Sequence, residues 1–187
     1  MELSQILDNI YPMPEASKLH LLQLARRVHY PKGHLLLRAG KIETTLYFIS
    51  KGIVRAYAPV NGQDLTFWFG KEGQTVVSMR SYVEHKAGYE NIETLEDCEL
   101  FELNTIELGR LFHKDIEIAN WGRIFAEREL IQTEERLISQ QFHSATERYR
   151  ALMEDHPDLL QRVQLGYIAS YLGITQVSLS RIRAEFK

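Results

Sequence analysis

From Val28 to Leu103 the chain is a succession of short β-type runs separated by glycine, and this texture limits the fold more than any other feature. The runs are His29-Tyr30, Leu35 to Leu37, Leu46 to Ile49, Val54 to Val60, Leu65 to Phe69, Thr75 to Val77, Asn91 to Thr94 and Glu99 to Leu103. Gly33, Gly40, Gly52, Asn61-Gly62 and Gly73 fall between them. Short strands with regular turn signals predict a sandwich or jelly roll, which deals with sheet edges by folding them onto themselves. Asn61-Gly62, set between two such runs, predicts a tight hairpin.

Both flanks of this region are helical. Leu3, Ile6, Leu7 and Ile10, then Leu19, Leu21, Leu22 and Leu24, have helical spacing, and the Pro12/Pro14 break predicts two short helices. After Asn104 the pattern is helical to the end: Thr105 to Leu111, a long helix from about Asp115 to Gln141, then Ala145 to Glu154, closed by His156-Pro157. At 1.5 Å per residue the long helix spans roughly 40 Å, more than the β region needs for its own packing. Ile124, Ile131 and Ile138 recur every seven residues along it, flanked by Leu130 and Leu137, which suits a two-stranded contact. Glu127, Glu134 and Glu135 interrupt a strict second apolar position, so a helix that merely covers the sheet is the competing expectation.

The segment from Leu165 to Arg183 reads as a helix, a glycine turn and a second helix. Ile168, Leu172, Ile174, Leu179 and Ile182 are placed to lock two short helices together, with Ala169 small where they cross. Gly173 supplies a turn residue that accepts positive φ, and Thr175 is placed to cap the second helix. The outer face of that helix carries Gln176, Ser178, Arg181 and Arg183. This is the layout of a DNA-reading helix-turn-helix, and the plain alternative is a helical hairpin packed into a core.

Composition narrows the function. The net charge is −3, with 22 Lys+Arg against 25 Asp+Glu, so the chain as a whole is not a polycation built for nucleic acid. Any DNA affinity has to come from local placement of charge. No apolar run approaches membrane-spanning length, and the first thirty residues lack a signal-peptide pattern, which together predict a cytoplasmic protein with no membrane partner. A single cysteine, Cys98, excludes an internal disulfide and a cysteine-ligated iron–sulfur cluster within one chain, and is expected to be a buried small hydrophobe in a strand. The seven histidines show no metal-site spacing, and no nucleophile elbow, phosphate loop or Gly-x-Gly-x-x-Gly stretch is present. No catalytic residue, metal or cofactor is therefore expected. Trp68, Phe69 and Trp121 are expected in the core, with the lining of an apolar effector pocket as their alternative.

A glycine-punctuated jelly roll, a long central helix and a C-terminal helix-turn-helix together resemble the Crp–Fnr family of transcription regulators. The resemblance rests on Pro31-Lys-Gly33, Arg38-Ala-Gly40, Phe48-Ile-Ser-Lys-Gly52, Lys71-Glu-Gly73 and the helix-turn-helix, and covers nearly the whole chain. It implies an α+β protein in three parts: a cyclic-nucleotide-binding-like sensory domain over 1–114, a dimerisation helix over 115–142 and a DNA-binding domain over 143–187. It further implies a homodimer on double-stranded DNA that recruits or blocks RNA polymerase. Family recognition helices resemble one another in Arg-Glu-Thr-Val, a small residue and Arg. The matching run is Gln176-Val177-Ser178-Leu179-Ser180-Arg181. Arg181 fits the base-reading arginine, whose fork can bond guanine O6 and N7. Gln176 stands where the family has arginine and suits adenine, and Val177 stands where it has glutamate and suits a thymine methyl. Gln164, Thr175, Ser180, Arg183 and Lys187 are candidate phosphate contacts. The run after Arg183 is short, and the winged hairpin of many relatives is not expected within residues 143–187.

The effector cassette departs from the family pattern. Cyclic-nucleotide-binding relatives resemble one another in Gly-Glu-Leu followed by Arg-Ser or Arg-Ala, where the glutamate holds the ribose and the arginine the phosphate. Here the first motif falls on Val77-Ser78-Met79 and the second on about Gly88-Tyr89, so both charged ligands are absent. Arg80 and Lys86 lie nearby as shifted anion partners, and Thr133 matches a base-contacting position on the long helix. An unpaired phosphate in an apolar pocket is costly, so the expectation is a regulator that does not respond to cyclic AMP, with an unknown small-molecule effector left open. Two other readings compete with it. One is a small-molecule-binding module with a vestigial DNA domain. The other is an enzyme on a cupin-like barrel, which would need a His/Glu metal cluster that His29 and His34 do not make.

Overall fold

The structure is a computed structural model that describes residues 1–60 and 62–186. Asn61 of the expected Asn61-Gly62 turn and the candidate phosphate contact Lys187 lie outside the described residues. Helices α1 (Leu3–Ile10) and α2 (Glu15–Leu24) precede strands β1 (Arg26–Tyr30), β2 (Leu35–Leu37), β3 (Thr45–Lys51), β4 (Val54–Val60), β5 (Gln63–Gly70) and β6 (Thr75–Val76). A short helix, α3 (Met79–Glu84), leads to β7 (Asn91–Thr94) and β8 (Cys98–Asn104). Then come α4 (Thr105–Phe112), α5 (Ile116–Phe142), α6 (Ala145–Asp155), α7 (Pro157–Arg162), α8 (Leu165–Tyr171) and α9 (Gln176–Glu185).

The strands form two four-stranded sheets, ordered β1-β8-β3-β6 and β2-β7-β4-β5. Strands adjacent in sequence alternate between the sheets except at the β4–β5 hairpin, and this is how a jelly roll folds its edges together. The register Arg27↔Phe101, Phe48↔Phe101 and Leu46↔Leu103 puts Leu46, Phe48, Phe101 and Leu103 on one face of the first sheet. These residues share a buried cluster with Leu3, Ile6, Leu7 and Ile10 of α1 and with Ile118, Trp121 and Phe125 of α5. The α1 residues sit at i, i+3, i+4 and i+7, one stripe of a helix. Trp121 is 1% exposed and donates its Nε1 hydrogen to Leu7 O at 3.1 Å, so its single polar atom is satisfied inside the core. Tyr47, Ile49, Cys98 and Leu100 alternate onto the opposite face, where Ile49, Cys98 and Leu100 are fully buried. Gly52 has φ +110°, and a Cβ there would lie 2.4 Å from Cys98 Sγ, so the β3–β4 turn admits only glycine.

The chain folds as two compact units. The first comprises Met1–Ala56 and Phe69–Glu129. The second joins Tyr57–Trp68, the outer part of the β4–β5 hairpin, to the chain from Leu130 onward. Within the second unit, Ser170 Oγ accepts the Thr66 N–H at 2.9 Å and donates to Asp64 O at 3.0 Å, and Arg136 Nη1 donates to Phe67 O at 2.8 Å. These bonds tie the hairpin to α8 and α5.

Two short helices escape the sequence pattern. Helix α3 has only six residues, and no apolar stripe can develop in fewer than two turns. Helix α7 starts with Pro157 at its first turn, where a missing N–H costs nothing. The same proline that ends α6 therefore opens α7.

Candidate functional site

The α8–α9 pair is built as its sequence dictates. Ile168, Ala169, Leu172, Leu179 and Ile182 are buried, and Ile174 is half-buried. Gly173 has φ +67° and accepts the left-handed geometry that an L side chain resists. Thr175 Oγ1 accepts the Ser178 N–H at 3.1 Å, capping α9. The last carbonyls of α8 are taken from outside the pair: Arg148 Nη2 donates to Leu172 O at 2.8 Å and Gln140 Nε2 to Tyr171 O at 3.1 Å. The pair is thereby fixed to α5 and α6 within its own unit.

On its outer side, Gln164, Thr175, Gln176, Ser180 and Arg181 are exposed, and Ser178 and Arg183 are half-buried. The structure gathers Gln176, Ser180 and Arg181 on α9, and Gln164 precedes α8 as its N-cap residue. Thr175 and Ser178 hydroxyls lie 3.0 Å apart and are engaged with each other and with the cap. The Gln176 amide approaches α8 closely, since a Cβ at Gly166 would lie 2.6 Å from its Nε2. Arg181 makes no ion pair or hydrogen bond among the described residues. Its guanidinium is available to a partner.

The second candidate region is the loop–helix–loop from Val77 to Glu90, in the first unit. Val77 is half-buried, Ser78 and Gly88 are buried, and Met79, Arg80 and Tyr89 are exposed. Gly88 is pinned to the loop before β3: its N–H donates to Lys41 O at 3.0 Å, and its carbonyl accepts the Gly40 N–H at 2.8 Å. Ser81 Oγ donates to Lys86 O at 3.0 Å, holding the far end of the loop. Burial pushes the Tyr82 phenol above its ordinary range. The two expected cations turn to a common carboxylate at the surface, with Lys86 Nζ 3.2 Å and Arg80 Nε 3.9 Å from Glu84 Oε2. Thr133 is exposed on α5 and belongs to the second unit.

One residue of this region was not anticipated from sequence. Glu90 is 6% exposed and accepts the Tyr89 N–H at 3.0 Å. A Cβ at Gly88 would lie 2.6 Å from Ser78 Oγ and 3.2 Å from each Glu90 oxygen, so a hydroxyl and a carboxylate converge beside one glycine. The available signal was a lone acid between Gly88 and the alternating run Asn91–Thr94, where the inward set of β7 begins. An open cleft of about 370 Å³ lies elsewhere in the first unit, along α2 and α4, where Arg110 already bonds Glu107. Among the described residues no cluster of His, Cys, Asp and Glu is suited to a metal ion, and no helix is long and apolar enough to cross a membrane.

Residues 27–115 match the family model described as a cyclic nucleotide-binding domain. Among solved structures, the chain is similar to FixK2 of Bradyrhizobium japonicum, at 17% identity and a TM-score of 0.72, covering 86% of this chain and 83% of that one. It is similar to the catabolite activator protein of Thermus thermophilus at 21% identity and a TM-score of 0.60, covering 96% and 85%. A structure from Eubacterium rectale, described as that of a transcriptional regulator of the Crp/Fnr family, aligns at 15% identity with a TM-score of 0.75, covering 95% and 87%. No curated protein matches the sequence.

Proposed function

We propose that this protein, whose residues 27–115 match the cyclic nucleotide-binding domain and whose fold is similar to that of Crp–Fnr regulators, is a sequence-specific DNA-binding transcription regulator that acts in the cytoplasm without cyclic AMP. The observation that carries the reading is Arg181, exposed and uncommitted among the described residues, on a helix whose cap, turn and buried seam hold it in one orientation. Arg181 reads a guanine with its fork, and Gln176 reads beside it. Gln164, Thr175, Ser178, Ser180 and Arg183 position the helix on phosphates.

The functional division is a sensory region up to residue 114, a coupling helix to 142 and a DNA-reading region beyond. The partner along α5 is a second copy of the chain. Leu130, Ile131, Leu137, Ile138 and Phe142 are 52–74% exposed on this helix. Such an apolar seam is stabilised by burial against its like. A two-fold dimer presents two copies of α9 to successive major grooves about 34 Å apart. A change in the pairing of the two α5 helices alters that spacing, so the operator selects one state of the dimer. At a promoter the bound dimer recruits or blocks RNA polymerase.

The loss of cyclic AMP response follows from charge. Gly88 stands where the family places its phosphate arginine. Arg80 and Lys86 face Glu84 instead, and the buried acid Glu90 opposes a second anion. Selection of the purified chain against random duplex DNA, at fixed moderate salt and without effector, tests the reading. Enrichment of a two-fold-symmetric site is the expected result. No enrichment, with or without cell-derived small molecules, overturns it in favour of a sensory module with a vestigial DNA domain.

A further inference from the structure

We propose that the Ser78–Gly88–Glu90 corner is a binding site for a protonated nitrogen, the ammonium or guanidinium group of a small-molecule effector. The inference rests on reading residues 77–90 as the effector cassette of the proposed regulator. It assigns that cassette a charge preference opposite to that of a phosphate site.

Three observations lead to it. Glu90 is 94% buried, and among the described residues the bond that reaches its side chain is a single backbone N–H, from Tyr89. A carboxylate offers about four acceptor positions, and a buried one is stable only when paired or well bonded. Next, Ser78 is 97% buried and its Oγ has no hydrogen-bond partner among the described residues. As the residue before α3 it could have capped that helix, yet it makes no cap hydrogen bond. Its hydroxyl is turned toward Gly88 instead. Finally, the two groups converge: a Cβ at residue 88 would meet Ser78 Oγ at 2.6 Å and both Glu90 oxygens at 3.2 Å. Glycine at 88 is what lets acceptors from two segments approach the same place.

The chemistry that satisfies such a corner is a charged hydrogen-bond donor. A protonated nitrogen has several N–H groups and a positive charge, so it can bond the carboxylate and the hydroxyl together. A phosphate would place like charge against Glu90, and a neutral acceptor would leave the carboxylate unsatisfied. The cations of the same loop do not fill the role, because Arg80 and Lys86 lie by Glu84 at the surface. Met79 and Tyr89, 45% and 62% exposed, adjoin Ser78 and Glu90 in the chain.

Agmatine, which carries both a guanidinium and an ammonium, is the probe. The full chain is titrated with it at constant ionic strength, followed by calorimetry and by amide NMR of the wild type. The expected result is saturable binding that shifts the Tyr89 and Glu90 amides, while cyclic AMP and matched sodium chloride leave them unmoved. Glu90→Gln keeps the shape and removes the charge, and should weaken agmatine at least about tenfold, as loss of a charge-assisted hydrogen bond does. Ser78→Ala should weaken it less. If Glu90→Gln does not fold, the wild-type NMR titration decides by itself. Cassette amides that stay still with agmatine, or agmatine affinity unchanged in Glu90→Gln, overturn the proposal. The DNA selection is independent: an operator enriched by a protein indifferent to agmatine sinks the cation site and leaves the regulator standing.

Discussion

Arg181 is the one cationic side chain on α9 that combines exposure with the absence of any intramolecular partner among the described residues. Replacing it with alanine should weaken binding to the selected operator by about 1–3 kcal/mol and relax the preference at one base pair. Binding to random duplex should hardly change, because that affinity comes from phosphate contacts. Competition assays against specific and random duplex separate the two, and equal losses would remove Arg181 from base reading. Cys98 makes a different prediction. Burial pushes its thiol up to about 11, with the negative charge of Glu96 adding to the effect. The thiol should resist a disulfide reagent at pH 8 in the native protein and react freely in denaturant. A raised thiol favours the neutral form in the fold, so its contribution is complete below the ordinary value of 9 and is lost as pH rises toward 11. Chemical denaturation at pH 8 and pH 11 should show stability falling, and Cys98→Ala should flatten that fall.

The turn between α8 and α9 can be tested as an element. Gly173→Ala puts a Cβ on a residue at φ +67° and should cost about 1–2 kcal/mol of stability, seen in denaturant midpoints. A neutral result would mean that the turn relaxes. This turn was legible in the sequence because Gly173, Thr175 and the apolar spacing each call for the same local geometry. The strands were legible for the same reason, since glycine turns and β-branched or aromatic runs agree from Val28 to Leu103. Glu90 was not legible, because burial of a single acid depends on the path of the Gly88 loop against Lys41, a contact between residues 47 positions apart. Nor could the repeat on α5 be assigned beforehand. Its N-terminal part buries Ile118, Trp121 and Phe125, whereas Leu130, Ile131, Leu137 and Ile138 stay exposed, and both halves look alike in an apolar pattern. Replacing Ile131 and Ile138 together by Glu should give a folded monomer by sedimentation, with operator binding lost in parallel. A dimer that survives this pair of changes would move the subunit contact off α5.

At the scale of the molecule, the two compact units are not two lengths of chain. Strands β4 and β5 start in the jelly roll with Val54–Ala56 and return to it at Phe69, but their outer parts are bonded to Ser170 and Arg136. The chain from Leu130 onward, taken alone, lacks Tyr57–Trp68, which belong to the same unit. In genetic terms, the C-terminal half is therefore not a cassette that recombination can carry off at a single crossover near residue 130. A chimaera joining this C-terminal half to another sensor inherits a foreign hairpin at Ser170, and is viable only where that hairpin also offers a carbonyl and an N–H in the same places. Exchange between relatives should succeed when residues 57–68 travel with the tail, so inheritance here follows contact and not chain order.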